Sequence, residues 1–417
     1  MIDSSTRSLA RTALVPDAYA PGIAGRESLL DHALQGDAQV GEHGEVRGND
    51  VRLVVDNAQL RPALLDDIRG ARSVINLQEF IWTSDGLGEE VAEALKAKAR
   101  EGVQVNVQLD GTGSSSFPFG LHPVLSTAAY KAHVAGLRAA GVHVQENWRY
   151  GGKVAAGASP SWDHRKIFTV DGRIGYVGGM NLSLDYEQWH DTMARIEGPA
   201  VAQLDAEFLG RWRDIGGTVS GRQARALVNS EIGPRQAGMA AARIISNSPG
   251  AKRDLSDSYL RDIRGAKRRL WVTSPSVASP ELVRALRAAA ARGVDVRVVT
   301  TSFASRDGDP VTRTISGTFI DELVEAGVQV YEHPRTLHAK LLLADDDATV
   351  SSFNLNDRSK SKDMEAGVRV RGASFTREIE RLFDKAFVDA APVSAERGRS
   401  VVRQAARGVR ELFGLSF

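Results

Sequence analysis

Two histidines, His164 and His338, each stand two residues ahead of a lysine, Lys166 and Lys340. Five residues after each lysine comes an aspartate, Asp171 or Asp345. Gly178, Gly179 and Asn181 follow in the first set; Ser351, Ser352 and Asn354 follow in the second. Each set closes on a carboxylate 27 residues beyond its histidine, Asp191 or Glu365. On a β-strand, residues i and i+2 share a face, so each imidazole is expected to point with its ammonium group. Two such patches facing each other suit a phosphodiester. One neutral imidazole can attack phosphorus, and the other, protonated, can hand its proton to the leaving alkoxide. An unperturbed histidine pKa near 6.5 makes both forms accessible around neutrality. Lys166, Lys340, Asn181 and Asn354 would hold the non-bridging oxygens as negative charge builds. Asp191 and Glu365 would orient the imidazoles and support their charged state, and the route would pass through a covalent phosphoryl-enzyme.

The remaining polar positions of each set read as supports. Asp171-Gly172 is a strong hairpin signal. Asp171 and Asp345 both fall where an aspartate stabilises a bend through its own side chain. Gly178 and Gly179 let backbone or ligand come close at the end of the returning strand. Ser352 stands in the corresponding stretch of the second set.

These side chains need two scaffolds, and the chain supplies two copies of one. DIRGA occurs at 67–71 and again at 262–266, each time before a strand-like stretch, SVINLQEFIW or RRLWVTSPSV. Ala94, Leu95, Gly102, Val103, Val105 and Val107 match Ala285, Leu286, Gly293, Val294, Val296 and Val298 at a single offset of 191 residues. Alternating valines predict strands, and the glycine before each predicts a helix C-cap. AAGVHVQEN at 139–147 and EAGVQVYEH at 325–333 repeat that grammar. The result is an α/β chain with a duplicated domain rather than a solenoid. We expect a polar, irregular arm over 1–50, a first lobe over 51–220, a Gly/Ser/Pro-bearing linker, a second lobe over 240–390, and a basic amphipathic helix over 391–417. In that last segment Val402, Ala405, Val409 and Leu412 share one face, and Arg399, Arg403, Arg407 and Arg410 another. The favoured reading packs the helix on its own domain with its arginines in solvent; the competing one lays it on an anionic lipid surface.

HRKIFTVDGRIGYVGGMN and HAKLLLADDDATVSSFN resemble the paired HxKxxxxD signatures of the phospholipase D superfamily. EFIW, REGVQVNVQLDGTGS, WHDTMARIEGPAV and ARGVDVRVV are similar to its cardiolipin synthase branch. The resemblance spans roughly residues 50–390. It implies two α-β-α sandwich lobes related by a pseudo-twofold axis, a site between them, no metal or other cofactor, and His164 as nucleophile with His338 as general acid. The spacing alone leaves that order open. The function implied is phosphatidyl transfer or hydrolysis on a phospholipid such as phosphatidylglycerol. Alternatives within the same chemistry are a nuclease, another phosphodiesterase or a secreted phospholipase effector, and outside it a lipid-binding scaffold.

Composition trims these options. The 53 Lys and Arg nearly balance the 52 Asp and Glu, a net charge of +1, so no nucleic-acid partner is expected. With no cysteine, thiolate catalysis and disulfides are excluded. No apolar run is long enough to span a bilayer and the N-terminal apolar stretch is too short for a cleavable signal. The expectation is a cytoplasmic or peripheral membrane location, or export without such a signal. The protein would be a monomer, each chain its own pseudo-dimer. DDD at 345–347 lacks EF-hand spacing and reads as a turn. The other histidines have no repeated counterpart; His190, beside Asp191, reads as structural. GTGSSSFPFG at 111–120 and GGKVAAGASPSW at 151–162 are candidate substrate-gating loops.

Overall fold

The computed structural model describes residues 28–116, 127–148, 162–232, 237–302, 310–396 and 401–413. Two lobes share one continuous sheet, 16 strands among the described residues. Outward from the seam, the first lobe runs Val46–Val55, Thr192–Glu197, Ile174–Gly178, Ile167–Val170, Val74–Glu79, Gln104–Asp110, His143–Asn147. The second runs Ala240–Ser248, Glu365–Arg371, Asp347–Ser351, Leu341–Ala344, Arg269–Thr273, Asp295–Thr301, Gln329–His333. The two orders correspond strand for strand, which is the pseudo-twofold expected from the repeat. At the seam, Val46–Val55 pairs antiparallel with Ala240–Ser248.

The repeat is visible in backbone detail. The last three strands named for each lobe are parallel and fed by helices such as Gly86–Arg100 and Pro280–Ala291; in the second lobe the short strand Ala391–Pro392 adds an antiparallel edge. Gly102, Gly141, Gly293 and Gly327, the glycines before each Val-rich strand, all have φ between 85° and 91°. That left-handed conformation is what ends a helix at a glycine. Central strand Val74–Glu79 is buried on both faces; one face is apolar up to Glu79, and on the other Asn76 and Gln78 donate to Thr169, Asp205 and Asp163.

Asp171 and Asp345 adopt φ of 54° and 53° at matching turns. The Asp171 carboxylate accepts the N–H groups of Arg72, Ser73 and Val74. The Asp345 carboxylate accepts those of Lys267, Arg268 and Arg269. Both tie their turn to the start of the neighbouring parallel strand, far from any reacting group.

Two terminal segments differ from the sequence expectation. Residues 28–50 are part of the packed fold rather than an irregular arm. A helix, Leu29–Ala33, starts at a Ser28–Asp31 capping box, and Leu30, Ala33 and Val40 join the core around helix Ala200–Asp214. Too few apolar residues recur there to give a period. The C-terminal helix, Val401–Phe413, does pack on its own domain, against helix Pro310–Glu325. It does so through its arginines. Arg407 pairs with Glu325 at 2.9 Å and Arg410 with Glu322, and Arg403 is buried. Val409 faces outward, 51% exposed. Arg399 lies outside the described residues.

Candidate active site

His164 and Lys166 precede strand Ile167–Val170; His338 and Lys340 precede Leu341–Ala344. All four side chains are buried or nearly so. Lys166 Nζ donates to the carbonyl of His164 at 2.9 Å, and Lys340 Nζ likewise to that of His338. Each ammonium is thereby folded back beside its own imidazole.

The lobes meet through two short parallel β-bridges, Asp163 with Met364 and His190 with Leu337. The pseudo-twofold exchanges them. The His164 N–H donates to Met364 O at 2.9 Å, and the His338 N–H to His190 O at 2.8 Å. This stitching fixes which carboxylate serves which histidine, a point the equal spacing left open. His164 Nδ1 pairs with Glu365 Oε2 at 3.0 Å, and His338 Nδ1 with Asp191 Oδ2 at 2.6 Å. Each imidazole therefore takes its carboxylate from the opposite lobe, through Nδ1.

The glycine and serine positions make room for these carboxylates. A β-carbon at Gly179 would overlap Asp191 Oδ1, and one at Gly178 would overlap backbone of the adjoining strand. In the second lobe the Ser352 hydroxyl instead donates to Glu365 Oε2. Gly179→Ala is expected to push Asp191 off His338 and lower turnover about 100-fold, the scale of an ångström-sized misplacement. Steady-state kinetics beside a melting curve would check it; full activity would contradict the packing described. Asn181 and Asn354 are placed equivalently, and each has a buried Oδ1 without a hydrogen-bond partner.

The electrostatics join the two imidazoles and two lysines into one cluster. Burial, with the charges of Lys166, Lys340 and Arg358, holds His164 well below the usual histidine pKa. Burial and Lys340 bring His338 down to about 4, against the pull of Asp191. Burial brings Lys340 to about 7, partly opposed by Asp191 and Glu365. The two carboxylates differ. Burial raises Glu365 to about 7 despite the Ser352 hydrogen bond. Asp191 is lowered, because the charge of His338 and then Lys340 outweighs its burial.

Several neighbours were given no role of their own by the sequence reading. Glu79 ends strand Val74–Glu79, and the ladder pairing Gln78 with Ile167 puts it opposite Lys166. Burial raises its carboxyl to about 8, against the charge of Lys166. The available signal was its place at the head of EFIW, one of the stretches similar to the cardiolipin synthase branch. Phe80 packs edge-on against His164, at 4.8 Å between centroids, and Tyr186 and Trp189 pack against His338 at 5.9 and 5.3 Å. Of the two candidate gating segments, residues 111–116 form a short helix, and 117–120 and 151–161 lie outside the described residues. His190 is structural in position: its Nδ1 pairs with Asp56 at 2.8 Å and its ring stacks on His333. Among the described residues no group of three or more His, Asp or Glu could hold a metal ion.

Two lobes, one shared site and paired His–Lys strands define a phospholipase D-type architecture. Comparison with known proteins agrees. The family model described as "Cardiolipin synthase, PLD-like domain" matches residues 64–212 and 259–387. Cardiolipin synthase A of Pseudomonas putida (strain GB-1) is 31% identical over 93% of this chain and 79% of its own length. That of Pseudomonas fluorescens (strain SBW25) is 30% identical over the same shares. The crystal structure of phosphatidylserine synthase from Haemophilus influenzae Rd KW20 superposes with a TM-score of 0.64, covering 87% of this chain and 93% of that one at 12% identity, a likeness of fold. The chain belongs to the phospholipase D superfamily, in its cardiolipin synthase-like branch.

Proposed function

We propose that this chain is a phosphatidyltransferase that acts on phospholipids through a phosphohistidine, and that its specific reaction is cardiolipin synthesis from phosphatidylglycerol. The observation that supports the mechanism is the exchange of carboxylates between lobes: it orients two imidazoles, each of which also feels the charges of both lysines. His164 Nε2 attacks phosphorus, a P–N bond forms, and the bond to the headgroup oxygen breaks. His338 gives its proton to that oxygen. A second alcohol then enters, loses its proton to His338 and attacks phosphorus, and the P–N bond breaks. Lys166, Lys340, Asn181 and Asn354 hold the non-bridging oxygens throughout.

The unequal carboxylates support the order of the histidines. An imidazolium is favoured by a full negative charge beside it, and Asp191, held ionised, supplies one to His338. Glu365 is partly protonated near neutral pH, so His164 stays neutral and nucleophilic. The incoming phosphodiester adds the negative charge that lets His338 take up its proton.

No described helix is long and apolar enough to cross a membrane. The substrate sits in a bilayer, so we assign a peripheral membrane mode of action to a monomeric chain. Purified protein incubated with phosphatidylglycerol vesicles should yield cardiolipin and free glycerol. Phosphatidic acid alone would make it a hydrolase, and absence of lipid turnover beside cleavage of DNA would favour the nuclease reading.

The alkaline limb of kcat/KM follows from Lys340. Its folded pKa of about 7 lies below the ordinary lysine value, so in the free enzyme its charge is present below about pH 7 and lost as pH rises through it. We expect kcat/KM to fall above about pH 7, because that profile reports the free enzyme. Bound phosphodiester favours the ammonium form, so the corresponding limb in kcat lies at higher pH. Paired pH profiles check this; coincident limbs would contradict it.

A further inference from the structure

Asp56 sits where strand Val46–Val55 gives way to helix Asp56–Gly70, with φ of 57°. A non-glycine residue pays for that conformation in backbone energy, and it persists only where surrounding contacts enforce it. Here the N–H and both carboxylate oxygens of the residue go toward the Asp191 segment or the lobe opposite. Its N–H donates to Asp191 O at 2.9 Å, and its Oδ1 accepts the Asp191 N–H at 3.1 Å and faces His190 Nδ1 at 2.8 Å. Its Oδ2 meets Arg335 of the second lobe at 2.7 Å. Arg335 in turn donates to the carbonyls of Gln188 and Trp189, at 2.7 and 3.1 Å. The backbone of residues 188–191 is thus gripped on both sides, immediately before the side chain that faces His338.

We infer that Asp56 and Arg335 are positioning residues that hold Asp191 in register with His338. The inference rests on the role proposed above for His338 as proton donor. Among the described residues the pseudo-symmetric bridge is held differently. There Asp163 is fixed from below by buried Arg165 and Arg211, whereas Arg335 is half-exposed. Charges and hydrogen bonds from His190 and Arg335 outweigh the burial of Asp56 and hold its carboxyl at about 2, so it stays ionised across the working range. A half-exposed ion pair adds little to folding. Its value lies in geometry, where misplacement by an ångström costs about 100-fold in rate.

The test separates proton donation from everything else in the site. Asp56→Asn keeps shape and tolerates the left-handed backbone while discharging the carboxylate. With phosphatidylglycerol, whose glycerol leaves only with a proton, kcat is expected to fall about 10- to 100-fold with KM nearly unchanged. With the p-nitrophenyl ester of phosphatidic acid, whose phenolate leaves without a proton, the burst of p-nitrophenol should change by less than about threefold. Arg335→Gln should show the same contrast, and the melting temperature of both variants should stay near that of the parent. Equal losses on both substrates, or none on either, would overturn the inference. His338→Ala run alongside keeps the two layers apart. A leaving-group contrast there but none in Asp56→Asn overturns the positioning role alone. No contrast in His338→Ala overturns the proton-donor assignment itself.

Discussion

His164→Ala is expected to lower phosphatidyl transfer by about 10⁴-fold or more, the scale seen when a covalent nucleophile is removed, and to leave no labelled phospho-enzyme. Position, not reactivity alone, makes this residue the nucleophile. Its Nδ1 is occupied by Glu365 and its backbone N–H by Met364, so the ring cannot turn away and Nε2 is the nitrogen presented. Labelled lipid, quenched in the burst phase and mapped by peptide, should place the phosphate on residue 164. A label on residue 338 would reverse the two roles. A label on neither, with turnover intact, would remove the covalent route.

The second large effect is on stability. Arg165→Met should destabilise the chain by about 3–5 kcal/mol, the range for breaking a buried ion pair by removing one partner. Arg165 lies between His164 and Lys166 on an extended segment, so its side chain leaves by the opposite face. That face is wholly buried. Its guanidinium spans Asp163 at 2.9 and 3.0 Å and Asp37 at 2.8 Å, with Glu207 at 3.8 Å. Asp163 retains Arg211 and Glu207 retains Lys252 in the variant, but Asp37 loses the cation that matches its charge. Urea midpoints of the parent and variant, read with activity, check this. An unchanged midpoint would mean that water or neighbouring cations replace the guanidinium. Asp37→Leu added to Arg165→Met should recover part of the loss, because it removes the stranded charge.

The sequence made the duplication legible because period-two valines, capping glycines and fixed offsets are local properties. The paired His–Lys motifs were legible for the same reason, and His164 meets Glu365 and His338 meets Asp191, with Lys166 and Lys340 beside them. Which carboxylate faces which histidine was not legible. Equal spacings of 27 residues fit pairing within a lobe as well as across it, and only the two inter-lobe bridges decide. Asp56 and Arg335 carry no motif, since their geometry depends on a contact 279 residues apart in the chain. The arginines of the C-terminal helix read as a solvated face because the acids that receive them, Glu322 and Glu325, lie on a helix about ninety residues earlier.

The crossed dyads also bear on how such a chain can change over generations. A lesion at codon 365 disables the imidazole encoded in the opposite half of the gene, and one at codon 191 does the same in reverse. Neither copy can decay while the other keeps working, nor can one be cut away to leave a smaller functional monomer. The two halves of the gene are therefore expected to be inherited as one object.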